Sequence, residues 1–427
     1  MTFPPSTSGT GSRTSPRTAL AVASIALFLD LLLYGLAVPV LPKLATTAGV
    51  GPGAVGVLFA CYALSQLAVT PFAGLWVDRA GPRQVLLMGL FVLAAATGLF
   101  AAAGTAFWLL VLARVLQGVA AGLSWVAGLA LIAAVTPFQR RGQAMGICLG
   151  TAFVGLMIGP ALGGFLTGQF GRAAPFVLAA VATVAGLALA VLLTHREMPA
   201  NDDPAGPLAV LRVPGTMSVI TIMLLSAATI GLIEPVLPLH LTERFGASPA
   251  LVGLLFTISA VVGALASPVG GSLIGRVPTP LLVAAGTALS GLGLLGLGVI
   301  NDIVLVGLAL VVLSVGSGAL LRNVAATLIG VQGQRSQPPA LGASFALLNL
   351  AFAGGLSVGP LLGGLITDAR GFPTAMVVSA VIVAVLGLAS MTRLPATPAP
   401  DERISPIDAQ ADAQAVRGDV NGPPTKR

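Results

Sequence analysis

Twelve apolar segments, each long enough to cross a lipid bilayer, follow one another along the chain. A helix needs about 20 mostly apolar residues to span the hydrocarbon core, and an open sheet edge cannot be satisfied there. Only 8% of the residues are charged, against about 25% in soluble domains. The sequence therefore predicts an all-α integral membrane protein with twelve transmembrane helices. The predicted spans are residues 17–40, 53–77, 83–103, 106–134, 139–168, 173–194, 215–240, 248–272, 278–299, 302–331, 338–368 and 371–394.

A polar connection divides these segments into six and six. We expect an N-terminal six-helix half at 17–194, a cytoplasmic linker at 195–214 and a C-terminal six-helix half at 215–394. The ends of the chain, 1–16 and 395–427, are rich in small residues and proline, so we expect them to be disordered.

The two halves repeat short motifs in the same order. PVLP occurs at Pro39–Pro42 and at Pro235–Pro238, and G-x-x-x-G-P-x-L-G-G occurs at Gly155–Gly164 and at Gly355–Gly364. Corresponding elements six segments apart predict two pseudo-symmetric, parallel halves. Such repeats are typical of transporters that bind their substrate near the midplane, between the halves.

The distribution of basic residues predicts the orientation. The formal net charge is +7, but the Lys and Arg residues lie in short gaps between apolar segments, which argues against nucleic acid as a partner. If the N-terminus is cytoplasmic, fifteen of the 21 Lys and Arg residues lie on that side and four on the other. The positive-inside rule then places both termini in the cytoplasm. We expect a monomer in the inner (plasma) membrane, with the lipid bilayer as its environment.

Asp30 and Glu234 are the two acidic residues that we place inside spans. A charge at the centre of a bilayer costs about 2.5–3.5 kcal/mol or more, so each is a candidate functional group. Burial disfavours an ionised carboxylate and a nearby cation favours it, so a proton and an organic cation can compete for the same group. Two structural alternatives remain open: a permanent pair of Asp30 with Arg114, and a position of Glu234 near the outer interface.

Further polar and aromatic side chains inside the spans extend the candidate site. Arg114 must find a partner within the bundle, and we expect it to act in proton coupling together with the two carboxylates, unless it only pairs with neighbours such as Gln117. Arg322 poses the same question in the other half. Aromatic rings can contact a ligand cation. The substrate-binding candidates are Asp30, Tyr34, Glu234, Asn323 and Asn349, and Tyr62, Gln66 and Trp125 are further candidates to line a cavity.

Two sets of residues are candidates for conformational gating. The sequence GLWVDRAGPRQ joins the second and third segments, and its acid could pair with an Arg of a neighbouring loop on one side of the membrane only. The repeated GPxLGG segments allow close packing of helix backbones, and their prolines allow kinks. The gating candidates are Gly74, Asp78, Arg79, Gly81, Arg83, Gly159, Pro160, Gly359 and Pro360.

Three of these motifs together resemble those of the major facilitator superfamily, in particular its drug:proton antiporters with twelve helices. GLWVDRAGPRQ resembles the loop motif between helices 2 and 3, LARVLQG resembles the helix 4 motif with its arginine, and GLMIGPALGG resembles the helix 5 motif of antiporters. The resemblance covers about residues 17–394 and implies the major facilitator fold.

A closer resemblance is to the vesicular monoamine transporters and their bacterial relatives. FLDLLLYGLAVPVLP resembles their first helix, which implies that Asp30 binds a ligand amine, and GLIEPVLP resembles their seventh helix, whose acid matches Glu234. The chain departs from that pattern in three places. Asn349 stands where those proteins have an acid and Tyr62 where they have a lysine. Arg322 and Asn323 lie near the place of their helix 10 acid.

These observations favour a proton-coupled antiporter that exports amines or lipophilic organic cations by alternating access. The alternative is a proton symporter or facilitator for a neutral or anionic metabolite, and a receptor without a transport cycle is a third possibility. An enzyme is not expected, because the sequence offers no metal-ligand spacing and no nucleophile–base pair. We expect no metal and no cofactor.

Overall fold

The computed structural model describes residues 15–136, 138–194, 210–337 and 341–394. Most of the predicted tails and of the predicted linker, namely residues 1–14, 195–209 and 395–427, lie outside the described residues. Within them, twelve helices are long and apolar enough to cross a membrane, which confirms the predicted number of spans. They are α1 (Pro16–Thr47), α2 (Pro52–Ala80), α3 (Pro82–Ala102), α4 (Phe107–Val135), α5 (Phe138–Phe170), α6 (Ala174–Leu193), α7 (Thr216–Phe245), α8 (Pro249–Leu273), α9 (Thr279–Val299), α10 (Ile303–Arg335), α11 (Leu341–Arg370) and α12 (Phe372–Met391).

Two helices extend further than the apolar segments suggested. Helix α1 continues past position 40 to Thr47, and α7 continues past position 240 to Phe245. The predicted spans end at positions 40 and 240, which would place the PVLP motifs at the helix ends, but their prolines lie inside these helices. A proline inside a helix removes one backbone hydrogen bond, and packing in a bundle compensates for that loss.

The two halves have the same internal packing. In the N-terminal half α1 packs along α5, α3 along α4 and α2 along α4; in the C-terminal half α7 packs along α11, α9 along α10 and α8 along α10. Since α1 begins and α12 ends on the same side of the bundle, we call that side the terminal face. The other side, where α2 and α8 begin, is the opposite face.

The repeated glycines explain the tight packing of α1 on α5 and of α7 on α11. A Cβ added to Gly159 would lie 2.8 Å from the Cα of Gly35, and one added to Gly163 would lie 2.6 Å from a backbone oxygen of α1. Gly359 approaches the backbone of Ala228 in the same way. Only residues without a side chain allow two helices to approach so closely, so the two GPxLGG motifs hold α1 and α7 against equivalent helices.

The centre of the bundle is formed by α1 and α7. In their most apolar windows, 78% and 67% of the residues are buried, the highest values among the twelve spans of the described chain. Large apolar side chains cover the outside, where Phe72, Trp108 and Leu192 are more than two-thirds exposed. The molecule thus has the surface of a membrane protein, and its two innermost helices carry Asp30 and Glu234.

Candidate functional site

Asp30 occupies a closed polar position between three helices of the N-terminal half. Its side chain is fully buried. Its Oδ2 atom accepts hydrogen bonds from the hydroxyl of Tyr62 on α2, at 3.2 Å, and from Nε1 of Trp125 on α4, at 3.0 Å. Its Oδ1 atom is buried without a hydrogen-bond partner. The free oxygen of this carboxylate can accept a hydrogen bond from a ligand. A buried acceptor without a partner costs free energy, and a ligand that donates to it removes this cost.

Glu234 lies within the bundle, where its side chain is only 5% exposed. Its Oε2 atom accepts a hydrogen bond from the hydroxyl of Tyr34 on α1. Tyr34 belongs to the N-terminal half and Glu234 to the C-terminal half, so this bond crosses the interface between the halves.

Two tyrosine rings join the carboxylates into one site. Tyr34 and Tyr62 have ring centroids 4.8 Å apart with their planes inclined by 53°, an ordinary geometry for an aromatic pair. They are the chain's only two tyrosines, and each donates its hydroxyl to one carboxylate. The sequence named both residues as cavity-lining candidates, but it did not predict that they connect Asp30 to Glu234.

Arg114 lies beside these rings, fully buried. Its guanidinium carbon is 4.6 Å from the ring centroid of Phe59, 5.2 Å from that of Tyr34 and 5.7 Å from that of Tyr62. Its Nη1 atom donates to Oε1 of Gln117 at 2.8 Å, while Nε and Nη2 have no hydrogen-bond partner. Cation–π contacts are worth about 2 kcal/mol when desolvated. Arg114 is thus held by aromatic faces and by Gln117, and the described contacts contain no salt bridge between it and Asp30.

The two asparagines predicted for the site make no described hydrogen bond to Asp30. The amide of Asn323 donates to the backbone oxygens of Ser267 on α8, at 2.7 Å, and of Ala319, at 2.9 Å, so it joins two helices of the C-terminal half. Asn349 is half-buried on α11. It lies one helical turn before Phe352, which packs against the cluster that contains Tyr34 and Tyr62.

The predicted gating prolines lie where the two halves meet near the opposite face. A Cβ added to Gly253 of α8 would lie 2.8 Å from the carbonyl carbon of Pro160, and one added to Gly56 of α2 would lie 3.2 Å from that of Pro360. The amide of Ala161 also donates to the hydroxyl of Thr257 across the halves, at 3.0 Å. Among the described residues, every close glycine contact between the two halves lies near the opposite face. There the helix backbones of the two halves touch and close the interface between them.

A carboxylate adds to this closure. Helix α2 begins after Gly51, which has no side chain to cap it. The Oδ1 atom of Asp368, at the end of α11 in the other half, lies 2.7 Å from where a Cβ of Gly51 would be. A negative charge at a helix N-terminus is favourable by about 0.3–1 kcal/mol. This contact was not predicted, because nothing in the sequence indicates that α11 ends beside α2.

The loop residues between α2 and α3 have separate roles in the described contacts. Gly81 ends α2 with φ of 86°, a conformation that favours glycine. Arg83 donates from Nε to the backbone oxygen of Thr194 at 2.8 Å, which joins α3 to the end of α6 within one half. Arg79 is exposed. A Cβ on Gly74 would meet no atom within 4 Å. The side chain of Asp78, the acid of the predicted latch, lies outside the described residues.

Two six-helix halves with a buried acidic site between them define a membrane transporter. A family model described as the Major Facilitator Superfamily matches residues 23–218 and again residues 219–424. The chain therefore belongs to the Major Facilitator Superfamily, which confirms the predicted fold. Membership in this superfamily of transporters also agrees with the expectation that the chain is not an enzyme.

Relatives with named activities are similar over most of the chain. The chromaffin granule amine transporter of Rattus norvegicus is 30% identical over 330 residues, which are 76% of this chain and 62% of that protein. Multidrug resistance protein 1 of Bacillus subtilis (strain 168) is 32% identical over 245 residues, 56% of this chain and 62% of that protein. The matches thus span less than two-thirds of the length of these relatives.

A solved structure supports the fold independently. A bacterial homolog of the human lysosomal transporter Spinster, in an inward-facing and occupied conformation, superimposes with a TM-score of 0.77. The superposition covers 90% of this chain and 97% of that one, at 15% sequence identity. At that identity the likeness concerns the arrangement of the helices alone.

Proposed function

We propose that the protein is a proton-coupled antiporter that exports amines or lipophilic organic cations across the plasma membrane, with both termini in the cytoplasm. The observation that carries the proposal is Asp30. One of its oxygens is held by Tyr62 and Trp125 and the other is buried without a partner. A ligand ammonium would supply the missing donor, and the surrounding rings would contact its positive charge.

The closed backbone contacts near the opposite face suggest how the site is reached. If the termini are cytoplasmic, this conformation is closed to the outside, and the substrate enters from the terminal face. The cation then pairs with Asp30, the halves rock, and a proton from outside replaces the cation. The proton leaves to the cytoplasm after the return step. A single chain supplies both halves and both carboxylates, so we propose a monomer as the working unit.

Transport in proteoliposomes with an imposed pH gradient tests this mechanism. We expect gradient-driven uptake of 2-phenylethylamine, whose ammonium can donate to Asp30, accompanied by counter-movement of protons. Asp30→Asn removes the negative charge but keeps the shape of the side chain. A charge-assisted hydrogen bond contributes about 1.5–3 kcal/mol, so binding should weaken about 10- to 140-fold.

Asp302→Asn is the matched control. Asp302 caps the N-terminus of α10 by accepting from the amides of Val304 and Leu305, and Asn caps about as well. Full gradient-driven exchange by Asp30→Asn would refute the mechanism. Proton movement in the same direction as the substrate would indicate a symporter instead.

A further inference from the structure

Arg322 is a second cation inside the spans, partly buried, that the proposed mechanism does not use. It lies on α10 at the end of a π-helical segment, Val315–Arg322. Its guanidinium carbon lies 5.2 Å from the ring centroid of Phe352 on α11, and its Nε atom is buried without a hydrogen-bond partner. Segments of π-helix occur frequently at functional sites, and a cation inside a membrane span is costly, so its presence marks a candidate functional group.

Arg322 and Asp30 lie at the same depth on either side of the interface. Asp30 is 14 residues from the start of α1, and Arg322 is 13 residues from the end of α10, both counted from the terminal face. At 1.5 Å per residue, each lies about 20 Å from that face. Phe352, over whose ring the guanidinium lies, packs against the cluster that contains Tyr34 and Tyr62, and Tyr62 donates to Asp30.

Arg322 makes no ion pair among the described residues, and the buried carboxylate of its own half, Glu234 on α7, is bonded to Tyr34. In α8–α12 the acidic side chains are Asp302, which caps the start of α10, and Asp368, near the end of α11. Both lie near the opposite face. The positive charge of Arg322 is therefore not neutralised by a carboxylate of the described residues.

We propose that Arg322 forms an anion subsite of the same substrate site, so that the preferred substrate is an aromatic zwitterion with a protonated amine at one end and a carboxylate at the other. This inference rests on the proposed function for the amine end. A guanidinium can bind a carboxylate through two parallel hydrogen bonds. Asn349 lies one turn from Phe352 on the same face of α11, where its amide can donate to the same group.

The positions also limit the length of the substrate. Arg322 lies over the ring of Phe352, and Phe352 packs against the apolar cluster that contains Tyr34 and Tyr62, so at least these two contacts separate the charges. Neighbouring rings have centroids about 4.5–7 Å apart, so the amine and the carboxylate should be on the order of 10 Å apart. An α-amino acid is too short to reach both groups, and a biphenyl frame is long enough.

Binding of matched ligands to the purified protein, measured by calorimetry, tests the subsite. The probes are 4′-(aminomethyl)biphenyl-4-carboxylate and its methyl ester, which keeps the amine but has no anion. We expect the wild-type protein to bind the zwitterion at least tenfold more tightly than the ester. In Arg322→Gln the ratio of the two affinities, zwitterion to ester, should fall close to one. Arg322→Lys keeps the charge but loses the planar guanidinium, so it should give an intermediate ratio.

Two further variants separate this inference from the proposed function. Asp30→Asn should weaken both probes by a similar factor and leave their ratio unchanged, whereas Arg276→Gln, in an exposed loop, should behave as wild type. If Asp30→Asn has no effect while Arg322→Gln removes the preference, the amine site is wrong and the anion subsite stands. A wild-type preference for the ester, undetectable binding of the zwitterion, or an unchanged ratio in Arg322→Gln would overturn the subsite.

Discussion

Replacement of Gly253 by Ala should open the interface between the halves near the opposite face. In the structure, a Cβ at this position would lie 2.8 Å from the carbonyl carbon of Pro160, 3.3 Å from the Cα of Ala161, and closer still to the Pro160 oxygen. Carbon atoms prefer separations of about 3.5–4.0 Å, so α8 and α5 would have to move apart by roughly 0.7 Å or more. Both neighbours are backbone atoms, which cannot rotate out of the way.

The cost of this clash applies to the closed conformation only. Overpacking costs typically about 1–3 kcal/mol, which corresponds to a shift of about 5- to 140-fold in the equilibrium between closed and open forms. Alanine is a better helix former than glycine by about 1 kcal/mol, so α8 itself should not be weakened. Gly56→Ala at the equivalent contact with Pro360 should act in the same direction, and the double variant should shift the equilibrium further.

Spin labels on the opposite face can measure this shift. Cysteines at Thr47, on α1, and at Arg244, on α7, are exposed positions in different halves; Cys61 and Cys148 would first be replaced by Ser. We expect the distance distribution in nanodiscs to move toward longer values in Gly253→Ala. The control is Gly271→Ala on the same helix, where a Cβ meets no atom within 4 Å. Identical distributions for the two alanine variants would refute the reasoning.

Three more substitutions examine the site itself. Trp125→Phe keeps a ring but removes the N–H donor to Asp30, so the ionised carboxylate is less stable and cation affinity should fall about tenfold or more in calorimetry; unchanged affinity would exclude this role. Tyr34→Phe leaves Glu234 buried without its donor, which destabilises the closed form by about 1–3 kcal/mol. The spin-label distances should therefore lengthen as in Gly253→Ala, and unchanged distances would contradict this. Arg114→Lys keeps the charge but loses the planar stacking on the aromatic rings. The apparent melting temperature should fall by several degrees, and coupled transport should decrease. A variant with wild-type melting temperature and transport would show that the stacking is dispensable.

The spans and halves were predictable because each depends on local composition. An apolar run of 20 residues has few alternatives to a membrane helix, and the repeated PVLP and GPxLGG motifs identify equivalent helices without any knowledge of contacts. Asp30 and Glu234 stand out for the same reason, since charges are rare in such runs. The sequence also predicted the close packing of the GPxLGG glycines.

The partners of these groups could not be predicted, because they depend on how each helix is rotated about its axis. Successive residues of an α-helix differ by about 100° in direction, and a helix that is apolar all around does not reveal which side faces the centre. Arg322 and Asn323 illustrate the point: one stacks on Phe352 and the other binds the backbone of α8. The π-helical segment that ends at Arg322 changes the helical register, and no apolar periodicity indicates it.

The two carboxylates differ in one respect that bears on coupling. The hydrogen bonds of Asp30 come from Tyr62 and Trp125, both in its own half, so they can persist when the halves move relative to each other. The bond of Glu234 comes from Tyr34 in the other half, so it depends on the conformation of the whole protein. A change in protonation of Glu234 therefore acts directly on the contact between the halves, whereas in the proposed mechanism a change at Asp30 acts first on the ligand. Because the paired rings of Tyr34 and Tyr62 connect the two carboxylates, a ligand bound at one can alter the bond at the other, as exchange of a cation for a proton requires.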